Sequence, residues 1–157
     1  MNNRRKRTCS ILVVDDDPDY VHIIQTNLEA KGYDVLVAGD GQTAIECATS
    51  GEPDLIVLDT EMPSLDGYEV CRRIREFSTV PIIMLAALAG TCHRVKGLYM
   101  GADQCMTKPV YIQELVARVR VVLWRAELSR LKGYTPVFQI VGSLDDSSQQ
   151  QCVFAET

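Results

Sequence analysis

Three short stretches of this chain are apolar at every position: Ile11-Leu12-Val13-Val14, Leu55-Ile56-Val57-Leu58 and Pro81-Ile82-Ile83-Met84-Leu85. A strand with one wet face alternates apolar and polar residues, so an unbroken apolar run predicts a strand covered on both sides. Between these runs lie segments of helical period. A helix is expected from Asp17-Pro18 to Gly32, with Asp as N-cap, Pro in the first turn and Val21, Ile24 and Leu28 turned inward. Asp40-Gly41 opens a second helix with Ala44, Ile45 and Ala48 inward, and Asp66-Gly67 a third carrying Val70 and Ile74. Strands are read at Ser10–Val14, Tyr33–Val37, Asp54–Leu58, Pro81–Leu85 and, weakly, Gln104–Met106; further helices at Thr91–Met100 and from Tyr111 to about Leu131. Five strand–helix units in strict alternation predict a parallel sheet with helices on both faces.

The chain's 157 residues suffice for one such domain, and its net charge of −5 argues against a chain that binds nucleic acid as a whole. Residues 1–9, with the basic run Arg4-Arg5-Lys6-Arg7, read as a solvated, disordered arm. No apolar stretch near the start is long enough for a secretion signal, so a cytoplasmic location is expected. The six cysteines, Cys9, Cys47, Cys71, Cys92, Cys105 and Cys152, show no CxxC spacing, which argues against zinc; most read as small buried hydrophobes.

In doubly wound sheets, ligands bind beyond the carboxyl ends of the strands. Asp15, Asp16 and Asp17 follow the first strand, Asp59-Thr60-Glu61 the third, and Lys108-Pro109 the fifth. Asp15, Asp16 and Asp59 should therefore converge, with Lys108 beside them. Asp17, Asp40 and Asp66 are assigned to helix caps alone. Converging carboxylates repel unless a cation neutralises them, and an all-oxygen set that leaves room for phosphate suits Mg²⁺. A carboxylate held there can attack phosphorus, with Lys108 as a point charge for the phosphoryl oxygens.

The stretches ILVVDDDPDY, DLIVLDTEMPSLDGYEVCRRIR, VPIIMLAAL, VKGLYMGAD and TKPVYIQELVARVR resemble the receiver domain of two-component response regulators, from about Ser10 to Trp124. The resemblance implies a flavodoxin-like (βα)5 sandwich with strand order 2-1-3-4-5. It implies Asp59 as phosphoacceptor and Lys108 as phosphate contact, with a cis Lys108–Pro109 peptide. Asp16, Asp59 and the backbone carbonyl of Glu61 would ligate Mg²⁺, with Asp15 acting through water. The donor would be the phosphohistidine of a sensor histidine kinase, and the domain a self-phosphorylating acceptor rather than a turnover enzyme. A phosphohydrolase using Asp59 as nucleophile and Glu61 as general acid is a weaker alternative, because no cap domain excludes water.

Two positions depart from the family pattern: Ala86 stands where Thr or Ser is usual, and Cys105 where Tyr or Phe is usual. Both normally couple phosphorylation to the face formed by the fourth helix, fifth strand and last helix. That departure favours a pseudo-receiver reading, an interaction module signalling without phosphate. The last helix resembles the OmpR-type winged-helix subfamily, in which Arg94 would pair with Glu114 and Asp103 with Arg125 across a homodimer. Gln104 stands where an acidic partner for Arg118 is usual. Residues 10–131 would form the receiver. Residues 132–157 read as a linker or tail, two short strands about a turn or a disordered end, faintly resembling the start of a winged-helix effector domain. Transcription regulation through DNA would then require an effector absent or truncated here.

Overall fold

A computed structural model of the chain describes residues 7–63, 65–87, 96, 98, 100–132, 138–141 and 151–154. Five strands form one parallel sheet: β1 (Ser10–Val14), β2 (Asp34–Ala38), β3 (Leu55–Asp59), β4 (Ile82–Ala86) and β5 (Gln104–Thr107). Their order is β2-β1-β3-β4-β5, as the resemblance implies. The helices are α1 (Pro18–Ala30), α2 (Gly41–Ser50), α3 (Gly67–Arg75) and α4 (Ile112–Lys132).

Alternation along the buried strands divides the core. Leu12, Val14, Ile56, Leu58, Ile82 and Met84 pack with Ala44, Val70 and Ile74 of α2 and α3. Ile11, Val13, Leu55, Val57, Ile83 and Leu85 pack with Ile24 and Leu28 of α1 and Leu115 and Val119 of α4. Every residue of β3 and β4 is buried, which explains why those runs carry no alternation. Each Leu, Ile, Val or Met side chain among them contributes about 1.5–3 kcal/mol on burial.

Asp17, Asp40 and Asp66 cap α1, α2 and α3, each accepting from backbone N–H groups of the first turn. Several strand bounds differ from the sequence expectation by one residue. The most consequential is that Asp59, expected just after the third strand, is its last residue; Asp59 pairs with Leu85 and Thr60 donates its N–H to the Leu85 carbonyl at 3.0 Å. Continued pairing with β4 extends the strand through the carboxylate. Lys96 and Leu98 are helical, but most of the expected Thr91–Met100 helix, Arg94 and Cys92 included, lies outside the described residues.

At the amino ends of β4 and β5, Arg75 gathers the chain. Its guanidinium donates to the carbonyls of Gly101 at 2.9 Å, Ser78 at 3.3 Å and Val80 at 2.6 Å, and to Asp103 Oδ2 at 2.9 Å. Asp103 Oδ2 also accepts the Ile82 N–H at 2.8 Å. In the tail, β6 (Phe138–Val141) and β7 (Gln151–Phe154) pair antiparallel, so the two expected short strands are present. Cys71 is buried, whereas Cys9, Cys47 and Cys105 are only partly so, a correction to the reading of the cysteines as mostly buried; these four positions lie at strand edges or helix flanks as well as in the core. Among the described residues no helix is long and apolar enough to cross a membrane.

Candidate functional site

The carboxyl ends of β1, β3 and β5 bring the expected residues together. Asp15, Asp16 and Asp59 each offer a carboxylate oxygen within 4.8 Å of the others. Asp15 and Asp59 are buried, at 3% and 2% exposure, while Asp16 is open to solvent. Lys108 reaches between the buried pair: Nζ lies 2.9 Å from Asp15 Oδ2 and 3.0 Å from Asp59 Oδ1. The Lys108–Pro109 peptide is cis.

Each carboxylate is also fixed from its own loop. Asp15 Oδ1 accepts the Asp17 N–H at 3.0 Å, and Asp59 Oδ1 accepts the Glu61 N–H at 3.3 Å. Glu61 itself is exposed. Burial raises the pKa of Asp59 above the usual carboxylate value; the Lys108 hydrogen bond opposes this and the Asp15 charge adds to it. For Lys108, burial works against the charge, but its bonds to Asp15 and Asp59 outweigh that and hold it above the ordinary lysine value. The site therefore stores an excess of negative charge that one ammonium only partly offsets.

The donor set fits a hard divalent cation: three carboxylates on two loops, converging and all oxygen. Asp16, with its exposed side chain, and Asp59 are the groups best placed to meet such an ion, with the Glu61 carbonyl two residues beyond Asp59. Asp15, for which a water-mediated role toward the ion is expected, also accepts a hydrogen bond from Lys108 Nζ at 2.9 Å.

Gly67 and Tyr20 escaped the sequence reading of the site. The first residue of α3 lies so near the end of β3 that a Cβ on Gly67 would sit 2.1 Å from the Asp59 carbonyl oxygen and 2.7 Å from Thr60 Cα. Its N–H donates to the Thr60 carbonyl at 3.1 Å, which seats the loop after Asp59 on the helix. The signal was available in Asp66-Gly67, read only as a helix start. Tyr20 places its ring 4.6 Å from Lys108 Nζ. Its position in the first turn of α1, just after the acidic run Asp15–Asp17, was the available clue.

Ala86 ends β4, fully buried, and its carbonyl accepts the Lys108 N–H at 2.7 Å. Cys105 lies opposite Met84 and packs on the α2–α3 side of the sheet. The residues assigned to a dimer face are engaged within the chain. Asp103 bonds Arg75 and the Ile82 N–H, and Arg118 donates to Gln104 Oε1 and Glu114 Oε1, both at 3.1 Å. Arg125 is buried at 8% exposure. Arg94 lies outside the described residues.

Comparison with known proteins agrees with this geometry. The family model described as response regulator receiver domain matches residues 11–120. The chain is 48% identical over 120 residues to the alkaline phosphatase synthesis transcriptional regulatory protein PhoP of Bacillus subtilis (strain 168), covering 76% of this chain and 50% of that protein. It is 46% identical over 127 residues to the "Probable transcriptional regulator ycf27" of Porphyra purpurea, covering 81% and 51%. Among solved structures, the receiver domain of Francisella response regulator 1452 superposes with a TM-score of 0.73 at 37% identity, covering 76% of this chain and 99% of that one. The chain spans about half the length of the curated relatives it matches.

Proposed function

The chain belongs to the response regulator receiver domain family, and on that premise we propose that Asp59 accepts a phosphoryl group from the phosphohistidine of a sensor histidine kinase. The observation that carries this reading is the Lys108 ammonium lodged between Asp15 and Asp59, with Asp16 within reach of both carboxylates.

A carboxylate oxygen of Asp59 forms a bond to phosphorus as the phosphorus–nitrogen bond to the donor imidazole breaks. The product is an acyl phosphate, and the imidazole takes a proton from solvent. Phosphorylation adds charge at a buried position, and Lys108, 3.0 Å from Asp59 Oδ1, is placed to offset it by contacting the phosphoryl oxygens. Mg²⁺, held by Asp16, Asp59 and the Glu61 carbonyl, would neutralise charge on the phosphoryl oxygens. Asp15 keeps Lys108 aimed at Asp59. Thr60 and Gly67 hold the acceptor loop against α3.

We assign residues 10–131 to the receiver and 132–157 to a linker or tail, a candidate start of an effector region, since the matched stretch makes up only 50% and 51% of the relatives named as transcriptional regulators. DNA contact would belong to that region, and the protein's place would be the cytoplasm, where a kinase and DNA are both accessible.

A second reading is favoured by Ala86 and Cys105: the fold serves as a pseudo-receiver, an interaction module that signals without phosphate. Ala86 offers no hydroxyl at the end of β4. The occupied partners of Asp103 and Arg118 weaken the homodimer expected through that face.

Acetyl phosphate with Mg²⁺ should add the mass of one phosphoryl group to the wild-type protein and none to Asp59→Asn. Absence of added mass from both acetyl phosphate and a panel of histidine kinases would favour the interaction module.

A further inference from the structure

A lysine ammonium carries three N–H donors on a long, freely rotating stem. At Lys108 two of them are taken by carboxylates, Asp15 at 2.9 Å and Asp59 at 3.0 Å. The third side faces the ring of Tyr20, whose centroid is 4.6 Å from Nζ. That distance lies within the range of cation–π attraction, which strengthens where water is excluded.

The ring is itself held firmly. Tyr20 stands in the first turn of α1, and its backbone N–H points to the capping oxygen of Asp17 at 3.4 Å. Its side chain is half-buried and packs on the core layer shared by β1, α1 and α4, beside Val110 and Ile112. Tyr20 thus comes from the same loop-to-helix junction as Asp15 and Asp16 and adds a ring contact to the carboxylates that already hold the lysine.

We infer that Tyr20 is a positioning residue for phosphoryl transfer: its ring confines the Lys108 ammonium between Asp15 and Asp59, so that the charge is already in place when the phosphoryl group arrives. The inference rests on the reading of Asp59 as acceptor. It adds a determinant of the transfer rate that touches neither metal nor phosphate. A lysine fixed beforehand loses less rotamer freedom at the moment of reaction than one that swings in from solvent.

The test is the rate of phosphorylation by acetyl phosphate in Mg²⁺, read by mass spectrometry. Tyr20→Leu should slow it about fivefold, the worth of a partly screened cation–π contact. Tyr20→Phe, which keeps the ring, should stay near wild type. In a Lys108→Ala background Tyr20→Leu should cost nothing further, whereas a purely structural role would slow both backgrounds alike. Tyr20→Met repeats the test should the Leu variant fold poorly.

A second readout separates this inference from the acceptor reading. The Lys108 side-chain methylene protons next to Nζ should show an upfield NMR shift from the ring in wild type and Tyr20→Phe, lost in Tyr20→Leu. If the wild type takes no phosphate yet shows the shift, the acceptor reading fails while the hold of Tyr20 on Lys108 stands. Equal rates for Tyr20→Leu and wild type, equal slowing in both backgrounds, or no ring shift in wild type would each overturn the inference.

Discussion

Gly67 lies against the backbone of Asp59 so closely that a Cβ there would meet the Asp59 carbonyl oxygen at 2.1 Å. The helix start and the acceptor strand are in direct contact, main chain to main chain. No flexible side-chain end can give way, because the neighbours are backbone atoms of Asp59 and Thr60.

Gly67→Ala should therefore destabilise the domain by about 3 kcal/mol, the upper range for overpacking. It should also displace Asp59 and reduce phosphorylation even in the folded fraction. Urea unfolding would measure the first effect, and acetyl phosphate labelling below the unfolding range the second. A variant with wild-type stability would mean the α3 start can shift freely.

Asp59→Asn should raise the melting temperature at pH 7. The folded state holds the Asp59 carboxyl above the usual carboxylate range, chiefly through burial. Such a group stabilises the fold fully below its unfolded pKa, near 4, and loses that contribution as pH rises through the higher folded pKa. The advantage of Asn should vanish near pH 4 and grow toward neutrality, in metal-free buffer. Calorimetric melts across that range decide it; a constant difference at all pH values would sink the account.

Asp16→Ala should abolish Mg²⁺ binding measured by titration calorimetry, while Asp17→Ala should leave it nearly intact. Asp17 spends its side chain on the N–H groups of Asp19 and Tyr20. Its loss should instead cost about 1 kcal/mol of stability through the missing cap. Equal losses of binding in both variants would show that the acidic run works as one ligand.

Beryllofluoride, a phosphoryl mimic, should cause little dimerisation of the wild-type protein. A hydroxyl at position 86 would add a hydrogen bond to a charged acceptor, worth about 1.5–3 kcal/mol. Its absence cuts the population shift roughly thirtyfold if about 2 kcal/mol is lost. Ala86→Thr with Cys105→Tyr should strengthen the response, since Cys105 is only partly buried and leaves room for repacking. Sedimentation of both proteins with and without the mimic tests this, and full dimerisation of the wild type would contradict it.

Much of this architecture was legible because hydrophobic periodicity and strand alternation report burial directly. Ile11–Val14 and Leu55–Leu58 declared central strands, and Asp17, Asp40 and Asp66 declared their helix starts by capping chemistry. The convergence of Asp15, Asp16, Asp59 and Lys108 followed from placing each at a strand end of a parallel sheet. What sequence could not supply were contacts set by three-dimensional approach. Asp103 looked like a surface dimer residue, yet the amino end of β4 needed an acceptor for the Ile82 N–H and Asp103 is it. Tyr20 drew no reading beside the inward face of Val21, Ile24 and Leu28, since ring-to-ammonium contact depends on where α1 lies relative to a residue far along the chain.

The Arg75 cluster gives the sheet a fixed end and a working end. One guanidinium ties the C-terminus of α3 to the turns that lead into β4 and β5, through Gly101, Val80 and Asp103. At the other end, Ala86 and Lys108 meet the site through the strands' last residues. The two strands thus divide their ends between separate tasks: Arg75 ties the main chain where β4 and β5 begin, and the same strands deliver Ala86 and Lys108 to Asp59 where they finish.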